Sequence, residues 1–357
     1  VLLQRIGCIL MVLLWFRPAA SGCDLCGCYT PQIETMPQLA EASSFGPSLQ
    51  PGGAQVDGWD RVYVALAEQF THFGTIQIDG DEVANPTGQY LDSSITQLVA
   101  GYSFTSRFAL QVNLPVIYRS FERPEGFGID RGTESGFGDA SLLGKFVVFH
   151  HETGRSREVT FEDSKSPRTE LHAPTFTVSA LLLGGVKFPT GATGRLKEEF
   201  EEMEVPGAPE SGIHGHDLTL GTGSYDALVG GQVSLLYRAF FFQADTQFAL
   251  RGEGAHQFEP ANDISWSGGP GYYLIRSRKV LVGVQCVCSG EQKGLDRMAG
   301  MPMEDSGITS VFLGPRLLVS YGKLSGELAA EFPVLIDNTA LQVVPDYRLR
   351  ASFAVRF

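Results

Sequence analysis

The sequence predicts an all-β fold: a transmembrane, antiparallel, up-and-down β-barrel of about twelve strands. Three observations carry that expectation. Beyond an apolar N-terminal stretch the chain holds no run of about 18 apolar residues, so no helix of the mature protein would cross a bilayer. From residue 61 to the last residue, segments of about ten residues alternate between apolar and polar positions, the period of a strand with lipid on one face and a lumen on the other. Very short connections alternate with longer ones rich in Gly, Pro and acidic residues, as periplasmic turns alternate with external loops. The 42 glycines and 24 phenylalanines fit tight turns and aromatic girdles, and the net charge of -13 excludes a basic nucleic-acid-binding face.

Taken in chain order, the first 22 residues read as a signal peptide. Arg5 supplies the positive start, 6–16 is apolar without a charge, and Ala20-Ser21-Gly22 gives a small-residue cleavage pattern. Residues 23–60 are expected to form a Cys-containing N-terminal periplasmic segment. Cys23, Cys26 and Cys28 follow the cleavage site as C-x2-C-x-C, a spacing of thiolates that suits a soft metal ion such as Cu(I) or Zn(II). The alternative there is a lipidated Cys23, followed by Asp24, with a disulfide or free thiols in an oxidising compartment. No other cofactor is expected.

The barrel is expected over 61–357, with strands near 61–73, 93–105, 106–118, 137–149, 174–188, 224–237, 239–251, 264–276, 278–289, 308–321, 323–335 and 347–357. The final strand is the clearest. Tyr347, Leu349, Ala351, Phe353, Val355 and Phe357 share one face, and Arg348, Arg350, Ser352, Ala354 and Arg356 the other. A terminal phenylalanine in this pattern resembles the signal by which barrel proteins engage their assembly machinery, so Phe357 marks that partner. Short turns are expected at Thr105-Ser106, Arg238, Ser277 and Gly322. The connection 150–173 is long on the inner side and reads as a polar insertion; the connection before the last strand reads as a long outer loop.

Two glycine-rich stretches carry a family resemblance. Ser135-Gly136-Phe137-Gly138-Asp139-Ala140 leads into a strand with Gly144-Lys145-Phe146, and Gly185-Val186-Lys187-Phe188-Pro189-Thr190-Gly191 is followed by Leu220-Gly221-Thr222-Gly223-Ser224-Tyr225-Asp226. Over roughly 135–275 this resembles the transporter-like barrel family associated with the meta-pathway of phenol degradation. The resemblance implies an outer-membrane channel passing small solutes, hydrophobic or aromatic ones among them. The motifs are turn signatures and specify architecture more than chemistry.

Candidate site residues follow from the lumen-facing positions. Glu327 and Glu331 are expected to face Arg316, Arg348, Arg350 and Arg356, lining a polar pore or locking one another into a network. His214-Gly215-His216-Asp217 offers two metal-ligand types at i and i+2 but no third ligand in sequence, so the expectation is a pair of surface loop histidines. The acidic run 198–204 is expected to be a solvated loop, or a cation-favouring vestibule bridged through divalent ions to lipopolysaccharide. Cys286 and Cys288 share a strand face and read as packing residues. An esterase would need a serine beside an activating histidine on the outer wall, and no His-x-Ser stretch lies on a predicted strand, so no enzyme is expected. The expected surroundings are outer-membrane lipid and lipopolysaccharide, with a small-molecule solute and no nucleic acid as partners. A non-conducting barrel that binds a metal or a partner through its Cys-rich N-terminus is the second reading.

Overall fold

The computed structural model of the chain describes residues 61–153, 157–161, 167–171, 175–201, 205–277 and 279–357. The expected signal peptide and the expected cysteine segment, 1–60, lie outside the described residues. Twelve long strands form the wall: β1 (Val62–Ile78), β2 (Tyr90–Ser103), β3 (Phe108–Glu125), β4 (Ser141–Thr153), β5 (Phe176–Lys187), β6 (Asp226–Tyr237), β7 (Phe240–Leu250), β8 (Asp263–Arg276), β9 (Val280–Lys293), β10 (Ile308–Tyr321), β11 (Leu324–Asn338) and β12 (Leu341–Arg356). Each pairs antiparallel with its neighbours in sequence, and β12 pairs with β1 from Tyr63↔Arg356 to Ile78↔Leu341. That last pairing closes the sheet. Closure is what lets a sheet stand in lipid, because an open edge would leave unpaired N–H and C=O groups with no water to satisfy them.

Side-chain alternation decides which face is which. On β1, Val64 and Leu66 are exposed while Tyr63, Ala65, Ala67 and Gln69 are buried; on β3, Val112, Leu114 and Tyr118 are exposed while Gln111, Asn113 and Ile117 are buried. The same pattern continues through Val229, Val233 and Leu235 on β6 to Leu349 and Phe353 on β12. An exposed apolar belt running right round the molecule is far more than the few hundred Å² a water-soluble monomer tolerates, so its solvent is hydrocarbon. Aromatic residues edge the belt at the short-turn end, among them Phe104, Phe108, Tyr237, Phe240, Tyr272, Tyr321 and Phe357. At the other end Tyr118, Phe188 and Tyr225 do the same.

The short turns are local consequences of sequence. Thr105 Oγ1 accepts bonds from the N–H groups of Arg107 and Phe108 between β2 and β3, while Arg238 and Gly322 take positive φ to reverse the chain after β6 and β10. The chain enters and leaves the barrel at this end, which is the periplasmic one in barrels of this type.

At the opposite rim the structure corrects one expectation. The connection between β11 and β12 is not a long loop: β11 runs to Asn338, β12 begins at Leu341, and only Thr339 and Ala340 lie between them. Their turn is tied to the end of β1, with Asp79 N–H bonded to the Ala340 carbonyl and Ala340 N–H to Asp79 Oδ1. On the inner side, the insertion expected between β4 and β5 carries a hairpin of its own, Arg157–Phe161 paired with Pro167–Leu171. Outside the membrane, a further strand (Gly128–Phe137) continues the wall by pairing with the upper half of β3.

Candidate functional site: a loop across the barrel mouth

The chain between β5 and β6 leaves one side of the barrel and packs against the other. Ile213 and Leu218 are fully buried among Phe73 and Ile76 of β1, Leu91 of β2, Phe121 of β3 and Val343 of β12. Leu220 lies in a second cluster with Ile95 and Ile117, inward-facing residues further down β2 and β3. In a ring of twelve strands, β12 and β1 stand across the lumen from β5 and β6, so the described part of 188–225 crosses the mouth. Polar contacts fix the crossing: Val343 N–H bonds the Gly212 carbonyl at 3.0 Å, Gly212 N–H bonds Gln89 Oε1 at 2.8 Å, and Arg123 donates to the Ile213 carbonyl at 3.3 Å. Arg119, fully buried, donates to the Thr219 carbonyl. Burying the apolar anchors is worth about 1.5–3 kcal/mol per large side chain.

The glycine motifs are the root of this crossing. Asp139 lies at the foot of β4, and its carboxylate accepts bonds from Gly191 N–H (2.9 Å), Thr222 N–H (3.0 Å) and Lys187 Nζ (2.6 Å). Lys187 also reaches Asp226 Oδ2 at 2.8 Å, Asp226 is bonded by Arg251 at 2.7 Å, and Arg251 continues to Asp263. Every side chain in this chain of charges is nearly or fully buried. The loop's outgoing and returning arms meet backbone to backbone here, since a Cβ on Gly221 would fall 2.6 Å from Gly191 Cα and 2.6 Å from Asp139 Oδ1. Gly223 sits at φ +74°, a conformation that L side chains rarely adopt, with Ala255 against its open side. The three motifs of the sequence therefore meet in one place, and their shared task is to seat the loop.

A second buried network lies lower in the lumen. Arg348 pairs with Glu291 at 3.3 Å and Glu331 at 3.9 Å, and Arg350 pairs with Glu331 at 3.3 Å and donates its Nε–H to Gln69 Oε1 at 2.9 Å. Arg316 and Glu327 approach to 3.9 Å, each side chain about one-eighth exposed. Five of the six residues expected to line the lumen are thus brought together. Arg356 lies near the periplasmic end of β12, apart from the cluster. Glu291, absent from the expected set, belongs to it; its place on an alternating strand was the available signal. Around both networks the inner wall carries buried amides, Gln97, Gln111, Asn113, Gln232 and Gln247 among them, interleaved with aliphatic residues such as Leu143, Leu228 and Leu318.

Of the two loop histidines, His214 is partly exposed, but His216 is not at the surface. Residues Gly194–Glu201 form α1 and Gly215–Leu218 form α2, a single turn started by a capping box in which His214 N–H bonds Asp217 Oδ2 at 2.9 Å. His216 is buried, with Nδ1 2.7 Å from Glu199 Oε1. Burial opposes a charge on His216, but the carboxylates of Asp217, Glu199 and Asp305 outweigh it and raise the imidazole well above its ordinary pKa of 6.5. Burial likewise opposes charge on Glu199, and His216 and then His214 reverse the sign, so its carboxyl is lowered. Of the acidic run, Glu198 and Glu201 stay exposed on α1 as expected of a solvated segment, Glu199 alone docks inward, and 202–204 lie outside the described residues.

On the outer wall, Cys286 and Cys288 are free, exposed and lipid-facing. The outer wall also holds a polar group that alternation alone did not reveal. His72 Nδ1 lies 2.6 Å from Asp92 Oδ1 and its Nε2 3.7 Å from Asp346 Oδ2, and nearby Glu68 takes the hydroxyls of Ser94 and Thr96. The imidazole is held between carboxylates, with no serine in the nucleophile's place among the contacts described.

A closed twelve-stranded wall, a lipid-facing belt edged by aromatics and a polar lumen define a bacterial outer-membrane β-barrel. Comparison with known proteins agrees. No protein-family model matches the chain, and no curated protein matches it. Among solved structures it is similar to the COG4313 outer membrane channel from Pseudomonas putida F1, at 14% identity and a TM-score of 0.52 over 87% of this chain and 100% of that one. Weaker likenesses include the translocator domain of the autotransporter NalP from Neisseria meningitidis (11% identity, TM-score 0.37, 91% and 96% covered) and a Pseudomonas aeruginosa FadL homologue (8%, 0.33, 84% and 91%).

Proposed function

We propose that the protein is a channel for passive diffusion of small solutes across the outer membrane, held shut in this conformation by the loop 188–225. The observation that carries the reading is the transverse seating of that loop: its apolar anchors pack on β1 to β3 and β12, reaching from its own strands β5 and β6 to the far side of the ring. A barrel needed only as a membrane anchor has no use for a hinged crossing of its mouth. Movement of the loop would leave a path past the amides and the Arg316, Glu327, Glu331, Arg348 and Arg350 charges, with Arg356 at the inner exit. The similarity to a Pseudomonas putida protein described as an outer membrane channel supports the same reading. Small aromatic compounds, implied by the sequence motifs, belong in the first solute screen, because the inner wall offers aliphatic as well as amide surface. Liposome swelling with the refolded mature chain tests the proposal. Permeation of small neutral solutes that rises when the loop is shortened is the expected result; absence of permeation both with and without the loop would favour the non-conducting, partner-binding barrel.

A further inference from the structure

We propose that His214, His216 and Asp217 form a binding site for a divalent transition-metal ion, zinc-like in preference, within the loop that crosses the mouth. One ligand atom from each of the three residues lies within 4.8 Å of the others. The structure supplies what sequence spacing lacked. His216 is 3% exposed, and its Nδ1 is engaged by Glu199 Oε1 at 2.7 Å. That leaves Nε2, which has no hydrogen-bond partner and lies 3.5 Å from Asp217 Oδ1. An imidazole oriented by a carboxylate at one nitrogen and open at the other is the usual second-shell arrangement of a metal-bound histidine. The His214 ring stacks parallel to it, centroids 5.6 Å apart and planes 3° from each other. Asp305 Oδ2, from the loop between β9 and β10, stands 3.1 Å from His214 Nδ1. It can orient that ring or serve as a fourth ligand.

Two imidazoles and a carboxylate make a borderline-soft donor set, which favours zinc-like ions over calcium or magnesium. Ligands about 2.0–2.2 Å from such an ion sit roughly 3.3 Å apart, so binding would draw the three groups together by about an ångström. The backbone is built for close approach here, since a Cβ on Gly215 would meet the Arg195 carbonyl at 2.4 Å and Glu199 Cβ at 2.7 Å. A bound ion would join α1, α2 and, through Asp305, a second external loop, one residue from the Leu218 anchor. It would hold the crossing in place. The site is separate from Cys23, Cys26 and Cys28, and its existence does not depend on conduction.

Zn2+ binding to the refolded mature chain, with Cys23, Cys26 and Cys28 replaced by serine, tests the site. One ion per chain is expected. Affinity should fall at least tenfold in His214→Ala and His216→Ala, and about 10–100-fold in Glu199→Gln, whose residue positions the ring without touching the ion. Heat-modifiable migration reports whether each variant folds. Should His216→Ala fail to fold, the partly exposed His214→Gln and Asp217→Asn carry the comparison, and Co2+ should give the spectrum of a nitrogen and oxygen site in the serine background. No Zn2+ bound in that background, or binding unchanged by the histidine changes, would overturn the proposal.

Discussion

The two buried charge networks are built from similar groups but made in different ways. In the lower one, Arg348, Arg350, Glu331 and Glu291 are strand residues placed in the lumen by alternation; both arginines pair with Glu331 on the neighbouring β11, and Arg348 also reaches Glu291 on β9, three strands away. In the upper one, Asp139, Lys187 and Asp226 flank turns, and backbone N–H groups of the crossing loop supply part of the coordination. A charge fixed by strands decorates the wall, whereas a charge fixed by a loop's own backbone holds that loop. The upper network should therefore govern the position of 188–225, and the lower one the field inside the lumen.

The largest effect should come from Lys187→Met. It leaves Asp139 buried without its cation and strips one of two from Asp226, and breaking a buried pair in this way costs about 3–5 kcal/mol. Thermal unfolding followed by heat-modifiable migration should show the loss. Proteolysis within 188–225 should rise with it while the barrel core stays resistant. Equal protection of that loop in the variant would break the distinction between the networks.

Gly221→Val asks the same question sterically. Its Cβ would meet Gly191 Cα at 2.6 Å, backbone that cannot swing away, and overpacking of this kind costs about 1–3 kcal/mol. Greater hydrogen exchange at 189–223, with strands β9 to β12 unchanged, is the expected pattern.

The His216–Glu199 contact sharpens the comparison through pH. With metal removed by chelator, the raised imidazole contributes stability that is complete below its ordinary pKa of 6.5 and is lost as pH rises through the raised value. The lowered Glu199 carboxyl contributes above its ordinary 4.5 and is lost as pH falls through the lowered value. Exchange of 194–218, corrected for the intrinsic rate, should stay slow across neutral pH and rise toward both extremes. A single transition centred on 6.5 would contradict the pairing.

Arg316→Gln should have the smallest effect on stability, because its contact with Glu327 is long, at 3.9 Å, and glutamine keeps a donor for Ser267. Its effect should appear in permeation, as a shift toward cations measured by reversal potential. Unchanged selectivity would remove Arg316 from the path.

The fold was legible because a two-residue period survives over most of each strand: all twelve expected segments are strands, and the turns at Arg238, Ser277 and Gly322 fall where expected. The start of β12 was missed for a physical reason. Val343, Val344 and Pro345 are consecutive and all buried, because the pairing with β1 shifts register at His72 and Phe73 and so breaks the alternation. The crossing loop was not legible at all. Ile213, Leu218 and Leu220 follow no period, and their partners on β1 to β3 and β12 lie about a hundred residues away in sequence. His216 could not announce its burial either, since Glu199 and Asp305 reach it only through the folded loops. The cysteine expectation falls on residues outside those described.

The central claim is that the seated loop closes the barrel. Gly212→Cys with Val343→Cys, in a chain whose own cysteines are replaced by serine, would lock it reversibly; a Cβ at Gly212 already falls 3.2 Å from Val343 Cγ2, and the two residues share a backbone hydrogen bond. Single-channel recording in a planar bilayer is the direct test. The account predicts a silent oxidised protein that opens on reduction and closes again on reoxidation. Identical openings in both states would contradict it.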